Sequence, residues 1–132
     1  MRQVTSTTGK FTRALDVLVV DDDPLILTVV DLMVRHAGHT ARTACDGYSA
    51  LDVLADAAAD IIVSDIRMPG MDGLELARLI RKDYPQIPII LMTGYLSEYS
   101  SGSASEIGVD GILKKPFKSN DLLAAISRAV PV

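Results

Sequence analysis

The chain has 132 residues, 48% hydrophobic and 23% charged, with Lys+Arg 13 against Asp+Glu 17 for a formal net charge of -4. That length and balance describe one globular domain with one substantial core, excluding disordered and fibrous classes and a second domain of any size. The acidic balance offers no electrostatic footprint for nucleic acid or an anionic membrane, so neither is an expected partner. The single cysteine, Cys45, can form neither an internal disulfide nor a cysteine zinc site, and it reads as a small apolar filler near a strand end. The strongest apolar runs, such as Val17-Leu18-Val19-Val20, fall far short of a membrane span. Residues 1–13 are polar, lack the apolar middle of a signal peptide and read as a loose tail, which leaves a domain over 14–131 and a cytoplasmic setting.

Short β-branched apolar runs alternate five times with longer amphipathic stretches, the pattern of an α/β fold. The first run predicts a strand over 16–20, followed by Asp21-Asp22-Asp23 and then Pro24, a first-turn proline with an aspartate before it. Ile26, Val29, Val30 and Met33 then recur at helical spacing over 24–36, and Gly38 closes that helix, with His36 and His39 on either side of the exit. A strand over 40–44 leads to a helix over 49–58 carrying Leu51, Leu54 and Ala58. The strand over 61–64 ends at Asp65, and a helix over 73–82 with Leu76, Leu79 and Ile80 follows Asp72, a capping residue. The strand over 89–92 ends at Thr93. The next stretch, 96–107, makes a poor fourth helix, because Ser97, Ser100, Ser101, Gly102, Ser103 and Ser105 interrupt its apolar face, and it is expected to be short or mobile. A strand over 111–113 precedes Lys115, and a last helix over 120–130 carries Leu122, Leu123, Ile126 and Val130 behind Ser119.

Several strands are apolar throughout, as strands covered on both faces are, so the sheet is expected to be parallel. Five right-handed βα units make a doubly wound five-stranded sheet of order 2-1-3-4-5 with five flanking helices, which binds ligands beyond the carboxyl ends of its strands at the switch point. The residues just past four of the strands are Asp21, Asp22 and Asp23, then Asp65, Thr93 and Lys115, all on that rim. Carboxylates gathered there repel one another, and a hard divalent cation such as Mg²⁺ resolves the repulsion, with Asp21, Asp22 and Asp65 as candidate ligands. A carboxylate can then act as a nucleophile toward a phosphoryl group, while Lys115 and Thr93 stabilise its oxygens. Asp23 reads instead as a helix cap, Asp72-Gly73 as a turn and cap, and Lys114 as exposed charge.

Four motifs stand in order: Val17-Leu18-Val19-Val20-Asp21-Asp22-Asp23-Pro24, then Ile62-Val63-Ser64-Asp65-Ile66-Arg67-Met68-Pro69-Gly70-Met71-Asp72-Gly73, Met92-Thr93-Gly94 and Lys114-Lys115-Pro116-Phe117. Over residues 14–131 the sequence resembles the receiver domains of two-component response regulators, of the single-domain chemotaxis-regulator type, whose fold is flavodoxin-like. The resemblance implies a bacterial phosphoprotein in which Asp65 takes a phosphoryl group from a histidine kinase or a histidine phosphotransfer protein. It further implies direct Mg²⁺ ligation by Asp22, Asp65 and the backbone carbonyl of Arg67, with Asp21 holding the metal through water. Thr93 would hydrogen-bond the phosphoryl and move toward it, Lys115 would pair with it through a cis Lys115-Pro116 peptide, and Gly94 would leave room for the donor. The downstream protein would read the face formed by the fourth helix, the fifth strand and the fifth helix.

The sequence departs from the receiver pattern at Ile112, where many receivers carry a switching Tyr or Phe. Arg67 and Tyr95 occupy positions that flank the phosphoryl in similar proteins and are expected to alter the lifetime of the acyl phosphate. Two other functions compete. A haloacid-dehalogenase-type phosphohydrolase would use Asp21 and Asp23, two apart after the first strand, but wants Thr or Val where Leu25 stands. A phosphorylation-independent pseudo-receiver would be a pure interaction module. The chain closes at Pro131-Val132 and reads as a single-domain regulator, with a fragment of a longer DNA-binding regulator or hybrid kinase as the alternative.

Overall fold

In this computed structural model, which describes residues 13–95 and 106–131, β1 (Asp16–Val20), β2 (Thr40–Ala44), β3 (Ile61–Asp65), β4 (Ile89–Thr93) and β5 (Gly111–Lys114) form one sheet of order β2-β1-β3-β4-β5. Every neighbouring pair is parallel. Helices α1 (Pro24–His36), α2 (Gly47–Asp56), α3 (Gly73–Asp83) and α4 (Ser119–Ala129) cover it. Among the described residues, no helix is long and apolar enough to cross a membrane.

Strand alternation divides the apolar side chains into two cores. Leu18 and Val20 of β1, Ile62 of β3, and Ile89 and Leu91 of β4 pack with Leu54 of α2 and Leu76 and Ile80 of α3. On the other face Val17 and Val19, Ile61 and Val63, and Ile90 and Met92 pack with Val30 and Val34 of α1 and Leu122 and Ile126 of α4. β1, β3 and β4 are thus apolar on both faces because both are covered. Each fully buried Leu or Ile contributes about 1.5–3 kcal/mol relative to exposure. β2 lies at the edge and is only half covered: Ala41 and Ala44 are buried, Thr40 and Thr43 exposed. Arg42 ties it to the end of α2, donating to the carbonyls of Ala57 at 2.7 Å and Ala58 at 3.0 Å.

The predicted boundaries shift by one or two residues where a cap decides them. α2 begins at Gly47, because the Asp46 carboxylate accepts the Ser49 N–H at 2.7 Å and so starts the helix earlier than its apolar stripe does. α4 begins at Ser119, making Lys118 the cap position, and Asp121 reaches back to accept the Lys118 N–H at 2.9 Å. Among the described residues the structure shows four helices, where five were expected. The poor helix expected over 96–107 lies outside the described residues except for Glu106 and Ile107, which are helical. Cys45 is not a core filler: it is exposed, because the chain leaves β2 at Ala44 and Cys45 belongs to the bend into α2. His39 is buried, and its Nδ1 accepts the Leu15 N–H at 3.0 Å, which gives it a structural place at the start of the sheet.

Candidate functional site

The acidic rim forms because the β1 ladder runs one residue past the strand: the Asp21 N–H donates to the Ala44 carbonyl at 3.2 Å, turning the side chain inward over the sheet end. Asp21 is fully buried. Its Oδ1 accepts the Asp23 N–H at 2.9 Å, and its Oδ2 accepts from Lys115 Nζ at 2.9 Å. Asp22 follows and is exposed, while Asp65 is the last residue of β3 and is buried. Lys115 arrives from the opposite side: its N–H donates to the Thr93 carbonyl at 2.7 Å, its peptide with Pro116 is cis, and its Nζ stands 3.4 Å from Asp65 Oδ1. The structure therefore brings Asp21, Asp22, Asp65 and Lys115 together on the rim beside the β1–β3 switch point.

Carboxylate oxygens of Asp21, Asp22 and Asp65 lie within 4.8 Å of one another. Burial, and then the neighbouring Asp21 charge, push the Asp65 carboxyl above its usual range, against the pull of Lys115. Burial alone would lower the Lys115 pKa, but its hydrogen bond to Asp21 and the charges of Asp65 and Asp21 outweigh that and raise it. Three carboxylates facing one ammonium leave negative charge uncompensated in a partly desolvated place. That oxygen donor set fits a hard divalent cation.

Thr93 ends β4, one strand over from Asp65, and is fully buried. Its Oγ1 donates to the Tyr95 carbonyl at 2.8 Å and accepts the Tyr95 N–H at 3.0 Å. Arg67, two residues past Asp65, is exposed, and its guanidinium carbon lies 5.5 Å from the centre of the Tyr95 ring. Arg67 also lines an open groove of about 530 Å³ with Ile66, Met68, Pro69, Asp72 and Leu74. Ile112 is half-buried against the core on the α2 and α3 side. A Cβ at Gly94 would meet nothing within 4 Å, so the space beside Thr93 is open.

One residue of the site lay unrecognised in the sequence. A Cβ on Gly73 would stand 2.1 Å from the Asp65 carbonyl oxygen and 2.8 Å from Ile66 Cα, and the Gly73 N–H donates to the Ile66 carbonyl at 2.7 Å. Gly73 is thus more than a turn former: it lets α3 close against the backbone of Asp65. The signal was the glycine following a capping aspartate, but only the return of the loop onto β3 gives it that meaning. Asp21 and Asp23, the pair required by the phosphohydrolase reading, part company. Asp21 joins the cluster, while Asp23 caps α1 by accepting the Leu25 N–H at 2.9 Å.

Residues 17–127 match the family model described as the response regulator receiver domain. The chain is 40% identical over 114 residues to the DNA-binding transcriptional regulator NtrC of Escherichia coli, an alignment covering 86% of this chain and 24% of that protein. It therefore spans about a quarter of the length of the curated relatives it matches. The chemotaxis protein CheY4 of Vibrio cholerae is similar in structure, with a TM-score of 0.85 at 33% identity, covering 89% of this chain and 100% of that one. NtrX of Brucella abortus is also similar, with a TM-score of 0.83 at 35% identity over 89% of this chain and 27% of that one. The rim of acidic strand ends on a 2-1-3-4-5 sheet and the match over nearly all of it lead to one conclusion: the chain belongs to the response regulator receiver domain family.

Proposed function

We propose that the chain is the phosphoacceptor of a cytoplasmic two-component phosphorelay, with Asp65 as the acceptor, and that it catalyses only its own phosphorylation and dephosphorylation. The observation that carries this reading is the placement of Asp65 beside Asp21 and Asp22, with Lys115 Nζ 3.4 Å from its carboxylate. An Asp65 oxygen attacks the phosphorus of a phosphohistidine on a kinase or phosphotransfer protein. The P–N bond breaks and its electron pair returns to the imidazole nitrogen, which takes up a proton from solvent. Asp22, Asp65 and the Arg67 carbonyl would hold Mg²⁺ directly and Asp21 through water; the ion would supply positive charge to the phosphoryl oxygens. Lys115, closer to Asp21 than to Asp65 before reaction, gains the phosphoryl oxygens as partners.

Phosphorylation then biases an existing two-state equilibrium, and a downstream protein reads it on a face that includes β5 and α4; residues 96–105, expected to contribute the fourth helix to that face, lie outside the described residues. Arg67 and Tyr95 modulate the lifetime of the acyl phosphate. The NtrC similarity supports a second setting for the same chemistry, in which this domain controls a longer DNA-binding regulator. Presence of all five residues, Asp21, Asp22, Asp65, Thr93 and Lys115, argues against a phosphorylation-independent pseudo-receiver. Intact-protein mass after incubation with acetyl phosphate, with and without Mg²⁺, tests the proposal. The expected result is a Mg²⁺-dependent, base-labile phosphoryl adduct that Asp65→Asn lacks. A folded protein that gains no adduct overturns it.

A further inference from the structure

Resting on the phosphoacceptor reading and its divalent cation, we propose that Gly47, which lies outside the acidic cluster, is a positioning residue that sets which cation the site prefers. By admitting Met71 against the start of α2, it holds the loop between β3 and α3 where the Arg67 carbonyl serves a small ion, Mg²⁺, better than a larger one, Ca²⁺.

Three observations carry the inference. A Cβ on Gly47 would stand 2.5 Å from Met71 Sδ, 3.0 Å from its Cγ and 3.1 Å from its Cβ. The sulfur is the mobile end of that side chain, but the Met71 Cβ is fixed to the loop backbone and the residue is buried in the core beneath α2 and α3, so a methyl on Gly47 pushes the loop itself. Among the described residues the glycines with positive φ are Gly38, Gly70 and Gly108, so position 47 needs the missing side chain and not a left-handed backbone. The start of α2 is in turn held in place. Asp46 accepts the Ser49 N–H at 2.7 Å, and Tyr48 Cε2 lies 3.7 Å from where a Cβ on Gly70, in the same loop, would stand. Finally, the Gly73 N–H closes the base of the loop on the Ile66 carbonyl at 2.7 Å, which leaves Arg67 one residue beyond that closure. Met68, between Arg67 and Met71, is buried in the same core, so a displacement at Met71 is passed back along a packed segment. Mg²⁺ demands near-ideal octahedral geometry at about 2.0–2.1 Å, whereas Ca²⁺ accepts a flexible oxygen shell at about 2.3–2.6 Å. A small outward shift of a ligand carbonyl therefore penalises Mg²⁺ more than Ca²⁺.

Calorimetric titration of the full chain with Mg²⁺ and, separately, Ca²⁺ tests this, with acetyl phosphate adduct mass measured in parallel. In Gly47→Ala the Mg²⁺ Kd should rise roughly tenfold, the low end for a group that supports a metal ligand from behind, with a smaller rise for Ca²⁺. Met71→Ala empties the same contact and should also narrow the preference for Mg²⁺, which keeps the test open if the crowded variant does not fold. The double variant, in which the new methyl takes up part of the vacated space, should recover Mg²⁺ affinity relative to Gly47→Ala. Ile80→Val trims the same core from α3; it should lower stability in a denaturant melt and leave the ratio of the two Kd values unchanged. Equal shifts for both ions, a double variant no better than Gly47→Ala, or a ratio that Ile80→Val moves as far would each overturn the inference and leave the phosphoacceptor reading standing. A parent protein that binds neither ion and gains no adduct would overturn the underlying reading and this inference with it.

Discussion

Replacing Lys115 by methionine isolates the charge balance of the site. The lysine side chain is 23% exposed and its partner Asp21 only 1%, so removing the ammonium strands a buried carboxylate beside two others. Deleting one partner of a buried pair costs about 3–5 kcal/mol, and the partial exposure of Lys115 places this site at the low end, about 3 kcal/mol. For a chain of this size that corresponds to a fall in Tm of about 12 °C in metal-free buffer at neutral pH. Methionine keeps the length and apolar stem of lysine, so the loss reports the charge rather than a cavity. The same substitution removes a cation that competes for the carboxylates, and the stabilisation by Mg²⁺ should increase. Thermal melts of both proteins across a Mg²⁺ titration measure the two effects together. A variant as stable as the parent without metal, or one that gains less from Mg²⁺ than the parent does, would refute the argument that uncompensated carboxylate charge governs this rim.

Gly73→Ala forces a methyl to within 2.1 Å of the Asp65 carbonyl, a backbone atom that cannot swing aside. It should lower stability by about 1–3 kcal/mol and slow phosphorylation at least roughly tenfold through misplacement of Asp65, read by chemical denaturation and adduct mass. Asp72→Ala removes the carboxylate that accepts the Glu75 N–H at 2.8 Å and should cost about 1 kcal/mol of stability in a denaturant melt. Burial lowers the pKa of His39, whose Nδ1 is already the acceptor of the Leu15 N–H. A depressed native pKa means that the unfolded chain binds the proton first, so this contribution is intact above about pH 6.5 and declines as pH falls from there toward the native value. His39→Asn, which can keep the acceptor, should flatten the stability profile between neutral and mildly acidic pH; an unchanged slope would show that His39 does not contribute to it.

The alternation of apolar runs and amphipathic stretches was enough to place every described strand and helix to within two residues, because burial on both faces of a parallel sheet leaves a long and redundant pattern. The candidate site was legible for a related reason. In a doubly wound sheet the residue after each strand lands on one rim, so Asp21, Asp22, Asp65, Thr93 and Lys115 could be grouped from their strand positions alone. Boundaries set by a single cap were less legible: Asp46 starts α2 two residues ahead of its apolar stripe. Cys45 was misread because the change from strand to bend is a matter of one residue, and the side of the sheet it faces changes with it.

What the sequence by itself determined were the elements, their order and the residue types on the rim, all of which follow from local periodicity and from strand ends. What only the tertiary structure decided are the contacts that cross between elements. These include the choice of Lys115 for Asp21 at 2.9 Å over Asp65 at 3.4 Å, the approach of Gly73 to the Asp65 backbone, and the approach of Arg67 to the Tyr95 ring. Such contacts depend on distances of a few tenths of an ångström between segments far apart in the chain, and no periodicity within one segment encodes them.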